Sequence, residues 1–81
     1  MSVQVRYFAA IRETTGRDVE TLQLPAGATV AQIRGVLVDR YPALSTLLPR
    51  CAVAVNRSYA AGEAMLNDGD ELAFIPPLGG G

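Results

Sequence analysis

Apolar and polar positions alternate from the start of the chain. Val3, Val5 and Tyr7 fall on one parity, and Gln4, Arg6 and Phe8 on the other. A period of two predicts a half-buried strand. Ala9 to Thr15 then reads as a short helical turn or loop closing at Gly16, and a second strand runs from about Val19 to Leu24. The phase of that strand is irregular, because Val19 and Thr21 lie on the opposite parity to Leu22 and Leu24, which allows a bulge. Asp18 and Glu20 suit an edge strand, and Pro25-Ala26-Gly27 ends it in a turn.

The pattern next switches to a helical period. Thr29 and Gln32 have the spacing of a capping box just ahead of an apolar stripe of Val30, Ile33, Leu37 and Tyr41, with Gln32, Gly35 and Asp39 opposite. One amphipathic helix with one buried face is expected. Pro42 stops it at Tyr41, and a second short helix can start there and run to Leu48. Cys51 to Val55 is a buried strand, Asn56-Arg57 a tight turn into a short strand around Tyr59, and Asn67-Asp68-Gly69-Asp70 a turn. That last turn launches Glu71 to Ile75, a nearly continuous apolar strand of the kind buried within a sheet.

The order β-β-α-β-β-β allows one helix across one mixed sheet to bury both apolar faces in a single core. The compact solution is an α+β, β-grasp (ubiquitin-like) fold, with about five strands, one main helix, and the first and last strands adjacent at the centre. If Val3, Val5 and Tyr7 face the helix, Phe8 points away; if Leu72 and Phe74 face it, so does Ile75. Phe8 and Ile75 then share the outer sheet face, where a contiguous apolar patch marks a partner site and scattered single hydrophobes do not.

Composition narrows the chemistry. In 81 residues there are seven arginines, eight acidic residues, no histidine and one cysteine, for a net charge of -1. Such a balance leaves no basic footprint for nucleic acid or an anionic membrane. Without histidine, and with a single cysteine, there is no basis for a zinc site, a Ser-His-Asp triad, a Cys-His pair or a disulfide framework. The first residues lack a secretory pattern and no apolar run reaches the ~18 residues of a membrane span, so the expected location is the cytoplasm. Asp68, Asp70 and Glu71 have turn spacing rather than a calcium-loop pattern, and no metal site is expected. Cys51 reads as a small buried residue at a strand start, against the alternative of a persulfide carrier.

The remaining candidate is the main chain itself. Residues 1–75 form the expected domain and 76–81, Pro76-Pro77-Leu78-Gly79-Gly80-Gly81, a flexible extended tail. The prolines cannot continue a central strand and hold the chain extended, while glycines can thread a narrow channel. Six residues reach at most about 20 Å. A terminal carboxylate presented in this way can be activated as an acyl-adenylate and converted to a thiocarboxylate, against the competing reading of a frayed end without function. The absence of lysine spares an activated terminus from attack by the chain's own amines; codon bias accounts for it equally well.

The pieces VRYFA-x-IRE near the start, AVN at Ala54 to Asn56 and LNDGDELAFIPPLGGG at the end resemble the small, sulfur-carrying subunit of molybdopterin synthase, of the MoaD/ThiS ubiquitin-like family, over essentially the whole chain. The resemblance implies a β-grasp fold with Gly81 as the thiocarboxylate residue beside Gly80. It implies an adenylating enzyme related to ubiquitin-activating enzymes that consumes ATP, a sulfur donor protein, and a large synthase subunit that supplies the active site. Sulfur would pass to cyclic pyranopterin monophosphate, and the two subunits would assemble as a heterotetramer. It implies no tightly bound cofactor. The partner-facing surface would map onto Phe8, Arg12, Tyr59 and Ile75, with Pro76, Pro77, Leu78 and Gly79 leading into the partner. Two other readings keep the same terminus: a carrier for thiazole or another thio-metabolite, and a ubiquitin-like interaction module or protein modifier.

Overall fold

A computed structural model describes residues 1–77. Along it run β1 (Ser2–Arg6), α1 (Ala9–Thr15), β2 (Val19–Gln23), α2 (Val30–Arg40), β3 (Ala52–Val55), β4 (Ser58–Tyr59) and β5 (Glu71–Ile75). Two 3-10 turns, Pro42–Ser45 and Leu48–Arg50, stand where a single second helix is allowed by the sequence. Each places a proline in its first turn and buries one leucine, Leu44 or Leu48. The strands form one sheet in the order β2-β1-β5-β3-β4. β1 and β5 pair in parallel at its centre, and the other neighbours are antiparallel. With α2 packed on one face, this is the expected β-grasp.

The helix forms where its signals say. Thr29 Oγ1 accepts from the Gln32 N–H at 3.3 Å and Gln32 Oε1 accepts from the Thr29 N–H at 2.8 Å, which closes both halves of the capping box. Val30, Ile33 and Leu37 are fully buried, and the Tyr41 N–H closes the last turn on the Leu37 carbonyl at 2.7 Å. Opposite them the sheet contributes Val3, Val5, Leu22, Val53, Leu72 and Phe74, all buried. Burying a side chain of this size is worth about 1.5–3 kcal/mol. The segment Ala9–Thr15 is a true α-helix that inserts Ile11 into the core and ends at left-handed Gly16 (φ 73). The turn at Asn56-Arg57 has positive φ at both residues, 49 and 71, the twist that a two-residue hairpin requires.

The second strand departs from its expected irregularity. β2 pairs with β1 in unbroken register from Ser2↔Gln23 to Arg6↔Val19, with no bulge. Its inward residues are Glu20 and Leu22, followed by buried Leu24, so the period of two holds and a carboxylate occupies a core-facing position. Glu20 is therefore not a solvated edge charge. Its Oε1 accepts from the hydroxyls of Tyr7 at 2.8 Å and Tyr41 at 3.0 Å, and its Oε2 from Arg40 at 2.5 Å. Four side chains from β2, α2 and the segments that follow β1 and α2 are tied at one buried point. Burial alone would raise the Glu20 pKa, but the hydrogen bonds from Tyr7, Arg40 and Tyr41 outweigh it and hold the carboxyl below its ordinary value. Burial and the same carboxylate push the phenols of Tyr7 and Tyr41 upward.

A depressed carboxylate pKa contributes stability that is present above the ordinary carboxylate range and lost as pH falls through the folded-state value. Glu20→Gln is expected to lower stability near neutral pH by about 1–3 kcal/mol. Denaturant titrations across pH should show wild type losing that margin towards acid and converging on the variant. Acid limbs that run parallel would contradict the role given to Glu20.

Candidate functional site

Sheet register builds the outer face rung by rung. One rung crosses all five strands: Val19 pairs with Arg6, Arg6 with Ala73, Ala73 with Ala54, and Ala54 with Tyr59. In the next, Ile75 pairs with Ala52. Two residues beyond the Arg6↔Ala73 pair, the parallel strands bring Phe8 to the level of Ile75, and Phe8 is still extended (φ -129, ψ 153). The middle of the face is thus lined by the small residues Ala52, Ala54 and Ala73. Phe8, 46% exposed, and Tyr59, 77% exposed, stand at its two sides. Three strand spacings separate β1 from β4, about 14 Å. The result is a shallow apolar dish with aromatic rims, crossed on its polar side by the Arg6–Glu71 ion pair at 3.0 Å.

The elements around the dish fix it in place. Tyr7, directly before Phe8, is held inward by Glu20, and its N–H donates to the Asp18 carbonyl at 2.8 Å. Directly after Phe8, Ala9 is left-handed at φ 50, a conformation costing an alanine about 1–2 kcal/mol. This turn lets the chain leave the sheet plane while Phe8 stays on the outer face and Ile11 enters the core. Arg12 lies one helical turn from Phe8, its N–H reaching the Phe8 carbonyl at 3.3 Å, with its guanidinium on Asp18 at 3.3 Å. Pro76 and Pro77 follow Ile75 directly, the first half-buried and the second exposed. The dish and the point where the chain leaves the domain therefore adjoin. Leu78, Gly79, Gly80 and Gly81 lie outside the described residues.

The acidic motif that precedes β5 holds the fold together. Asp70 accepts from Asn56 Nδ2 at 2.8 Å and the Asn67 N–H at 2.7 Å, while Asp68 accepts from the Ser2 N–H at 2.6 Å. Asn56 Oδ1 in turn accepts from the Glu71 N–H at 3.0 Å, which locks the β3–β4 hairpin to β5. No group of three or more His, Cys, Asp or Glu able to hold a metal occurs among the described residues. No helix among them is long and apolar enough to cross a membrane. Cys51 is buried, with its thiol on the Leu47 carbonyl at 3.3 Å; burial pushes its pKa up, and Arg34 only partly offsets this. Sequence reasoning missed the floor of the dish, although alanines at outward positions of two adjacent strands are the signal that marks it.

Comparison with known proteins agrees with this architecture. Residues 5–81 match the ThiS family. A molybdopterin synthase sulfur carrier subunit of Chlamydomonas reinhardtii is 37% identical over 83 aligned residues that span all of both chains. Among solved structures, SAMP1 from Haloferax volcanii superposes with a TM-score of 0.87 at 30% identity, covering all of both chains. A chain in the complex of subunits 1 and 2 of molybdopterin-converting factor from Helicobacter pylori does so with a TM-score of 0.74 at 26% identity, also over all of both chains.

Phe8→Asp is expected to change stability by less than about 1 kcal/mol, whereas Phe74→Ala should cost about 3–5 kcal/mol. Urea denaturation measures both, and similar large losses would place Phe8 in the core. Cys51 in the native protein should react with a maleimide far more slowly than in the urea-unfolded chain; equal rates would mean an accessible, activated thiol.

Proposed function

The chain belongs to the ThiS family, and from that premise we propose that it is the sulfur-carrier subunit of a molybdopterin synthase, acting in the cytoplasm. The observation that carries this reading is the β1–β5 register, which sets an apolar dish beside the segment leading to Gly80 and Gly81. The relative in the Helicobacter pylori complex is paired with a second subunit, which supports assembly with a large subunit here. In the proposed cycle the Gly81 carboxylate attacks the α-phosphorus of ATP on an adenylating enzyme and pyrophosphate leaves. A sulfide-level sulfur supplied by a donor protein displaces AMP, giving the thiocarboxylate.

The charged carrier then docks on the large subunit through Phe8, Ile75 and Tyr59, with Arg12 at the margin. Pro76 to Gly79 lead the terminus into that subunit's active site. Sulfur passes to cyclic pyranopterin monophosphate, and water restores the Gly81 carboxylate. Two such transfers complete a dithiolene. The side chains of the carrier bind and position; the reacting group is the backbone end. This accounts for chemistry in a chain without histidine.

A second reading has its own support: the Haloferax volcanii relative is named a small archaeal modifier protein. In that case the activated terminus would join an amine and lose AMP without gaining sulfur. Intact-mass analysis after incubation with ATP, the adenylating enzyme and a sulfur source separates the two. The sulfur-carrier reading expects one oxygen of Gly81 exchanged for sulfur, and sulfur delivery once the large subunit and pyranopterin substrate are added. An unchanged mass, or an amide-linked product alone, would overturn it. Deleting Gly81 or extending the chain beyond it should abolish activation without altering the melting temperature; full activity of an extended chain would contradict the mechanism.

A further inference from the structure

Where α1, the 3-10 turn at Leu48–Arg50 and the residues after β5 converge, the surface opens into a cavity of about 300 Å³. Ile11, Leu47, Cys51, Pro76 and Pro77 give it apolar walls, and Arg50 is its one charged lining residue. Arg6, Arg12 and Arg40 each face a carboxylate, and Arg34 is tied to the carbonyls of Leu48 and Cys51. The exposed side chains of Arg17, Arg50 and Arg57 make no ion pair among the described residues, and of these three Arg50 alone lines the cavity. The cavity's lining lies close along the chain to the dish: Ala10 is two residues from Phe8, and Pro76 follows Ile75.

We propose that this cavity is a second anchor point for the large subunit, which fills it with an apolar side chain while an adjacent carboxylate pairs with Arg50. The proposal rests on the sulfur-carrier reading. A protein segment fits better than a nucleotide, because Gly81 is the fourth residue after Pro77 and an extended chain can place an activated terminus up to about 13 Å beyond the cavity. At full extension a phosphate at Gly81 is out of reach of Arg50. The apolar walls exclude water around the inserted side chain, the setting in which a single contact carries much of a binding energy. Gripping the chain just before the tail also fixes the direction in which it departs, so less ordering cost remains for the last residues.

Calorimetric titration of the uncharged carrier into the large subunit of molybdopterin synthase tests this with Arg50→Glu, Arg50→Lys and Ala10→Trp. Arg50 and Ala10 are exposed, so melting temperatures should stay close to wild type. Arg50→Glu and Ala10→Trp should each weaken binding about tenfold or more, and Arg50→Lys less than either. The gap between wild type and Arg50→Glu should narrow as salt is raised. Wild-type affinity in both Arg50→Glu and Ala10→Trp would overturn this proposal alone, and loss in only one of them would also count against it, since charge and cavity would then act apart. A wild-type chain that does not bind the large subunit would overturn the sulfur-carrier reading as well.

Discussion

The parallel pairing of β1 with β5 is the constraint on which the rest of the molecule depends. It joins Gln4–Arg6 to Glu71–Ala73, almost the full length of the domain apart. Parallel neighbours cannot be joined by a tight turn, so the intervening chain must cross over, and α2 makes that crossing on one face only. The helix seals Val5, Leu72 and Phe74 into the core and leaves the opposite face open. Because both central strands run the same way, Phe8 and Ile75 arrive together at the same edge. There the first strand gives way to α1 and the last to Pro76. An open apolar face and the exit of the chain thus share one geometric cause.

Local interactions then divide the work. Asn56, Asp68 and Asp70 spend their polar atoms on holding the hairpin and the β5 turn, and Glu20 spends its carboxylate on Tyr7, Tyr41 and Arg40. Polar groups of the types that serve catalysis elsewhere are thereby accounted for as structure. The surface that remains is formed by Phe8, Tyr59, Ile75 and a floor of alanines. It suits recognition, and the proposed chemistry resides in the terminal carboxylate delivered from its margin.

Much of the fold was legible because short-range rules and burial agreed. Thr29 with Gln32, the stripe Val30–Ile33–Leu37, and the apolar run Glu71 to Ile75 each name an element whose tertiary position reinforces its local preference. β2 misled because an inward Glu was counted as outward; what licenses it is a pair of tyrosines and an arginine that reach it from residues 13 to 21 positions away. The two 3-10 turns also depend on long-range packing of Leu44 and Leu48, and the left-handed Ala9 on what surrounds it. Of the site, Phe8 and Ile75 followed from strand parity, the tail from its prolines and glycines, and Arg12 and Tyr59 from resemblance. The cavity beside Arg50 could not be read from the sequence, because its walls come from three segments that only the fold brings together.

Under the proposed function, partners meet the molecule at the outer sheet face and the root of the tail, while the helical face stays free. Backbone amide NMR of the isotope-labelled chain, with and without the large subunit, tests it most directly. The expected changes centre on Phe8, Arg12, Ala52, Tyr59, Ala73 and Ile75, with little at Gln32, Gly35 or Asp39 on the solvent side of α2. Changes concentrated on α2, with Phe8 and Ile75 undisturbed, would contradict it.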